Sequence, residues 1–303
     1  MQSKPAEMPF YEKIMNPYIQ SLRLRTLPLS MSGIILGSGL AWKSSPHLMT
    51  EGKGIIIFIL AICTTLSLQI LSNLCNELGD AQKGTDTEQH GRAAYGLQTG
   101  SITEKQIKGM IWLFFCLCII FGTALIYSAF GSLFSLQSLG FFVLGILAIC
   151  GAITYTLGKH SYGYMGLGDL GVFIFFGLLS TMGSYYLMAQ TMTWEAAWCG
   201  AAIGLPCVGV LNLNNIRDMA NDQEHGKHTF AGLLGQTGGR IYHTILIIGC
   251  LAIFCAYGHG WTLCILPVWA WHLWYVWTHT EKLDKQMPIL MFSTLIVSIL
   301  ALL

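Results

Sequence analysis

The decisive stretch is GIIIFILAICTTLSLQILSNLC, residues 54–75, which runs without a break into NELGDAQKGTD, residues 76–86. The first part is long and apolar enough to cross a bilayer as one helix, which takes about 20 residues. The second part brings carboxamides and acids to the end of that helix. On a helix Asn73, Asn76 and Asp80 fall at i, i+3 and i+7, so they share one face. A carboxylate at a membrane helix end is unfavourable unless it faces a polar cavity or holds a cation. The stretch therefore reads as a spanning helix that delivers a polar stripe to a site.

The remainder of the chain agrees. Its 303 residues carry 16 Lys and Arg against 15 Asp and Glu, and only 10% are charged while 53% are hydrophobic. The mean hydropathy is +0.57. Soluble domains hold roughly 25% charged residues, so composition excludes a soluble globule. A net charge of +1 excludes a dedicated nucleic-acid binder, which needs a basic field. Apolar runs at 26–42, 54–75, 110–130, 137–157, 170–190, 196–215, 241–258, 261–279 and 287–303 predict an all-α, polytopic bundle of nine membrane helices. The runs are continuous rather than alternating, which excludes a β-barrel. All ten cysteines lie in apolar stretches with no CxxC pair, so reduced thiols are expected. A polar segment containing Arg23 and Arg25 precedes the first run, so no cleavable signal is expected.

Lys and Arg set the orientation. Fourteen of the sixteen fall at the N-terminus or after the second, fourth, sixth and eighth runs; Lys43 and Lys53 alone fall on the other side. The N-terminus is therefore expected in the cytoplasm, in the cytoplasmic (inner) membrane of a cell. Residues 1–22 read as a cytoplasmic segment and 23–303 as one membrane domain. Acids follow the same split, with only Glu51 and Glu195 outside. Positive-inside sorting does not require that, so the cytoplasmic face is where a site is expected.

A second stripe echoes the first. The sixth run ends in NLNNIRDMANDQEHGKHT, residues 212–229, where Asn214, Asp218 and Asp222 are spaced i, i+4 and i+8. One such stripe could be an ordinary polar helix end; two from different spans can converge. Their oxygen-only donors suit a hard cation such as Mg²⁺, which bridges a few carboxylates to a ligand phosphate. Other motifs are absent: the Gly that a P-loop requires at 221 is Asn221, the 80–86 segment lacks EF-hand alternation, and there is no HExxH or GxSxG. The scattered histidines read as packing or interfacial residues.

At these residues the chain resembles the UbiA-type membrane prenyltransferases. Residues 77–86 are similar to the first Asp-rich motif of that superfamily, and residues 214–229 to the second. Arg23-Leu-Arg25-Thr26-Leu27-Pro28, Gln98-Thr99-Gly100-Ser101-Ile102-Thr103 and the stretch from Tyr155 to Asp169 resemble its 1,4-dihydroxy-2-naphthoate polyprenyltransferase branch, which serves menaquinone synthesis. Two departures stand out: the family's Asn-Asp is Asn76-Glu77 here, and Tyr95 occupies the place of a basic residue, with Arg92 three residues earlier. Glu77 is accordingly left out of the ligand set.

The resemblance implies transfer of a polyprenyl group from an allylic diphosphate to 1,4-dihydroxy-2-naphthoate, with loss of CO2 and diphosphate, giving demethylmenaquinol. It implies Mg²⁺ held by Asn76, Asp80, Asp86, Asp218 and Asp222, with Asp80, Asp218, Asp222 and Tyr155 at the reaction centre. Lys83, Lys159, Lys227, Arg217 and Arg92 are the implied diphosphate partners. Asp169, Arg25, Tyr162 and Tyr164 are the implied acceptor residues, and the tyrosine faces suit an allylic cation. The polyprenyl diphosphate, the naphthoate and the lipid bilayer are then the partners, with no nucleic acid and no obligate protein partner. The alternatives are another aromatic acceptor, such as 4-hydroxybenzoate or homogentisate, or a cation-coupled transporter. In a cysteine-free background, membrane-impermeant thiol reagents added from the cytoplasmic side are predicted to label D86C and not E51C; the reverse pattern contradicts the orientation.

Overall fold

The computed structural model describes residues 16–46, 48, 52–85, 96–279 and 283–303. Its long helices are α1 (Leu27–Ser44), α2 (Lys53–Lys83), α3 (Glu104–Phe130) and α4 (Leu136–Thr154). There follow α5 (Gly168–Ala189), α6 (Trp194–Arg217), α7 (Phe230–Ala256), α8 (Leu266–Thr278) and α9 (Gln286–Leu300). Every predicted apolar run is helical. Among the described residues seven helical runs are long and apolar enough to cross a membrane: α2 to α7 and Leu283–Leu300, which contains α9. α1 falls outside that set because four serines, three glycines and Lys43 dilute its apolar content, and α8 because it has 13 residues.

Local chemistry sets the helix ends. α3 starts with a capping box in which Thr103 and Gln106 satisfy each other's backbone N–H groups. Thr193 and Thr229 cap α6 and α7 in the simpler way, accepting from Ala196 N and Gly232 N. α2 continues eight residues past its apolar run, through the polar stripe, and stops at Gly84 in the left-handed region, φ 73°. α7 starts eleven residues before its apolar run, with a break at Gly235.

α6 is the central helix. It packs against α1, α5, α7 and α9, and 72% of its apolar stretch is buried against 11% for α4 at the edge. In lipid, one apolar side chain has little preference for another over an acyl chain, so close backbone approach has to hold helices together. α5 and α6 meet in this way: a Cβ on Gly177 would lie 2.6 Å from Gly204 Cα. At the far side of α6, His243 of α7, His272 of α8 and Gln286 of α9 form a buried hydrogen-bonded chain with spacings of 2.9 and 2.7 Å. His272 fits the packing or interfacial role read for it from the sequence. None of the ten cysteines forms a disulfide.

G177V is predicted to lower the stability of the detergent-solubilised protein by about 1–3 kcal/mol, the usual penalty for overpacking. Gly140 on α4 has open space around a Cβ, so thermal unfolding of G140A is predicted to match or exceed wild type. Equal melting temperatures for wild type and G177V would contradict the close packing.

Candidate active site

Two cavities lie end to end inside the bundle. The larger, about 350 Å³, is enclosed by α1 to α6 and walled by side chains such as Leu29, Leu125, Phe141, Leu144, Phe175, Phe176 and Leu179. The smaller, about 130 Å³, is lined by Arg25, Asn76, Asp80, Tyr164, Asn214, Arg217, Asp218 and Lys227. Arg23, Thr26, Asn76, Tyr155, Leu211, Asn214 and Met291 line both. A charged chamber therefore opens directly into an apolar one.

The two acidic stripes converge on the charged chamber. Asp80 comes from the last turn of α2, and Asp218 from the residue that ends α6. Asn221, in the short helix Met219–Glu224, donates its amide to Thr85 O at 2.8 Å and so ties the second stripe to the end of the first. Each carboxylate already has a partner. Asp80 Oδ1 accepts from Tyr164 Oη at 2.8 Å. Asp218 accepts from Arg217 Nε at 2.6 Å, and Arg217 also bonds Asp284, joining the end of α6 to the start of α9. Asp222 is buried and pairs with Lys227 Nζ at 3.1 Å. Burial pushes the Asp222 carboxyl above its ordinary range, and Lys227 opposes that shift. Asp222 does not line the chamber itself.

The loop from Tyr155 to Leu167 roofs the chamber. Its approach to α2 requires Gly79, where a Cβ would lie 2.9 Å from Thr156 Cβ. The Thr156 hydroxyl donates to Asn76 Oδ1, and Tyr164 O accepts from His228 N at 3.1 Å. Tyr155 faces both chambers, with Tyr162 edge-on against it at 5.2 Å in the apolar one. Burial raises the Tyr155 and Tyr164 phenols above the tyrosine range and pushes Tyr162 up to about 12. All three are neutral hydroxyls at physiological pH, suited to donating hydrogen bonds or presenting a ring face.

Several residues singled out in the sequence sit elsewhere. Asp169 lines neither chamber; its carboxylate accepts from Tyr242 of α7. Lys159 is exposed. Lys83 also lines neither chamber: its ammonium donates to Thr156 O and Ser161 Oγ. Glu77 is fully buried and accepts from Ser21 Oγ and Leu97 N, stapling the helix Pro17–Ser21 and the 96–102 turn onto α2. Asp86 and Arg92 lie outside the described residues.

Arg23 was missed in the sequence. It lines both chambers and adopts the left-handed region, φ 51° and ψ 51°, which a non-glycine residue rarely occupies. Nothing in the sequence separates it from Arg25 two positions on. Asn73 sets this turn in place, donating to Leu22 O at 2.9 Å and Thr26 Oγ1 at 3.0 Å.

In this all-helical membrane protein a chamber lined by carboxylates and cations opens onto an apolar one, an arrangement that can accommodate a ligand with an anionic head and a hydrocarbon tail. Residues 30–299 match the UbiA prenyltransferase family, and the chain belongs to that family. It is 40% identical over 257 residues to the 1,4-dihydroxy-2-naphthoate octaprenyltransferase of Escherichia coli, covering 84% of this chain and 79% of that protein. It is 38% identical over 279 residues to the enzyme of the same name from Haemophilus influenzae, covering 89% and 88%. The apo structure of a UbiA homolog from Aeropyrum pernix superposes with a TM-score of 0.61 at 17% identity, over 93% of this chain and 98% of that one. That likeness concerns the fold. The protein is thus an integral membrane prenyltransferase.

Proposed function

We propose that the enzyme transfers a polyprenyl group from its allylic diphosphate to 1,4-dihydroxy-2-naphthoate. The observation that carries this reading is the junction of a charged chamber with an apolar one, because an allylic polyprenyl diphosphate has the same two-part character. The relatives in Escherichia coli and Haemophilus influenzae support the choice of acceptor. The polyprenyl chain occupies the larger cavity. α4 packs chiefly on α2 and α3, so a long tail can leave between α4 and α5 into lipid. In this reading all nine helices belong to the membrane domain, and the Lys and Arg distribution supports a cytoplasmic side for the charged chamber.

The diphosphate sits among Lys227, Arg217 and Arg25. Among the described residues no three His, Cys, Asp or Glu gather closely enough to hold a metal by themselves. Asp80 and Asp218, with the amide oxygens of Asn76 and Asn214, nonetheless offer the oxygen donors that would hold a hard cation. A Mg²⁺ ion held there would supply charge neutralisation for the departing diphosphate. The cationic side chains act on the same charge. As the C–O bond to diphosphate breaks, Tyr155 and Tyr162 present ring faces to the allylic cation, and the apolar walls keep water from it. A new C–C bond then forms at the ring carbon bearing the carboxylate. CO2 leaves, and the electron pair of its bond restores the aromatic ring. The neutral phenol of Tyr155 can donate to the acceptor, and Arg25 offers a partner for its carboxylate.

The test is a product assay on purified protein in lipid with an allylic polyprenyl diphosphate, Mg²⁺ and either 1,4-dihydroxy-2-naphthoate or 4-hydroxybenzoate. A decarboxylated, prenylated naphthoquinol formed only with the first acceptor and abolished by EDTA is expected. D80N and D218N are each expected to lower kcat/KM by about 100-fold or more, the scale of losing charge stabilisation at a reacting centre. Product from 4-hydroxybenzoate alone would overturn the acceptor assignment, and full turnover in EDTA would overturn the metal assignment.

A further inference from the structure

Two lysines that look alike in the sequence approach the Tyr164 ring. Lys227 Nζ is 5.6 Å from the ring centroid, lines the charged chamber and pairs with Asp222. Lys83 Nζ is 3.7 Å from the same centroid and lies outside the chamber lining. Its donors are already directed inward. One goes to Thr156 O at 2.7 Å, another to Ser161 Oγ, and the charge rests over the Tyr164 ring. The tyrosine passes the restraint on: its hydroxyl donates to Asp80 Oδ1 at 2.8 Å and is 3.0 Å from Thr85 Oγ1.

An ammonium has three N–H donors. With two of them in hydrogen bonds and the charge over an aromatic face, Lys83 has little left to offer a diphosphate. We propose that Lys83 is a positioning residue: it clamps the 156–164 loop and holds the Tyr164 ring so that the tyrosine hydroxyl fixes the Asp80 carboxylate. The role rests on the proposed function only in that Asp80 serves the reaction. The division of labour is that Lys227 meets the ligand and Lys83 holds the wall behind it.

The test begins with the substrate-free protein in detergent, where it does not depend on the identity of the acceptor. The amides of Gly163 and Tyr164 are tied to Tyr155 O and Ser161 O within this loop. Hydrogen exchange over residues 163–167 is expected to be about tenfold faster in K83M than in wild type, the scale of losing one hydrogen bond to a charged group. A lysine reserved for diphosphate predicts unchanged exchange. In turnover, K83M is expected to lower kcat about tenfold or more while KM for the allylic diphosphate stays within about threefold. K83R, which keeps the charge and the donors and stacks on the ring, is expected to recover most of that loss. Because both residues act through one carboxylate, K83M/Y164F is expected to be no slower than the slower single variant. Unchanged exchange with a tenfold rise in KM, or multiplicative losses in the double variant, would overturn the assignment. If K83M does not fold, Y164F and K83R carry the same comparison: Y164F must reproduce the kcat loss at constant KM, and K83R must retain activity. No product from wild-type protein with any acceptor would overturn the proposed function and leave the exchange result standing.

Discussion

The rest of the structure depends on keeping ionised groups satisfied next to a hydrocarbon interior. A carboxylate in low dielectric is stable only when paired and hydrogen-bonded. Asp80, Asp218 and Asp222 meet that condition through Tyr164, Arg217 and Lys227. The partners come from the loop after α4, from α6 itself and from the segment before α7, so satisfying the acids also joins those elements. Arg217 extends the network to Asp284 at the start of α9. The site and the tertiary fold at this end of the bundle therefore share the same bonds.

The opposite requirement governs the apolar chamber. It must stay open inside a bundle whose helices have no strong hydrophobic drive to associate in lipid. Small residues resolve this by bringing α5 onto α6 at Gly177 and Gly204 and α5 onto α1 at Gly37, where a Cβ would lie 2.1 Å from Thr181 O. The space is left among α1 to α6, where larger side chains such as Leu125, Phe141, Leu144 and Phe176 form the walls. Polar and apolar chambers meet at Asn76 and Tyr155, where a ligand's charged head would join its hydrocarbon tail.

How much of this could be read from the sequence varied with the kind of signal. The two stripes were legible because helical periodicity alone puts Asn76 and Asp80, or Asn214 and Asp218, on one face. Helix limits were less legible. α7 begins in a glycine-rich stretch whose composition suggests a loop, and tertiary context decides that start. Arg23 could not be told from Arg25, since the left-handed turn that aims it exists only in the folded backbone. Lys83 and Lys227 each follow an acidic stripe and look equivalent, yet the first is held by Thr156 O and Ser161 Oγ and the second lines the chamber. Family resemblance brought Asp169 and Lys159 to attention, but the geometry puts the first against Tyr242 and the second at the surface.

The central claim is that the two stripes and the apolar chamber bind one ligand, head and tail together. An experimental structure with Mg²⁺ and an unreactive polyprenyl thiodiphosphate tests this most directly. The account predicts the diphosphate between Asp80 and Asp218, with Lys227 in contact, and the first isoprene units past Tyr155 in the apolar chamber. A diphosphate bound away from both carboxylates, or a chain lying outside the bundle from its first unit, would contradict it.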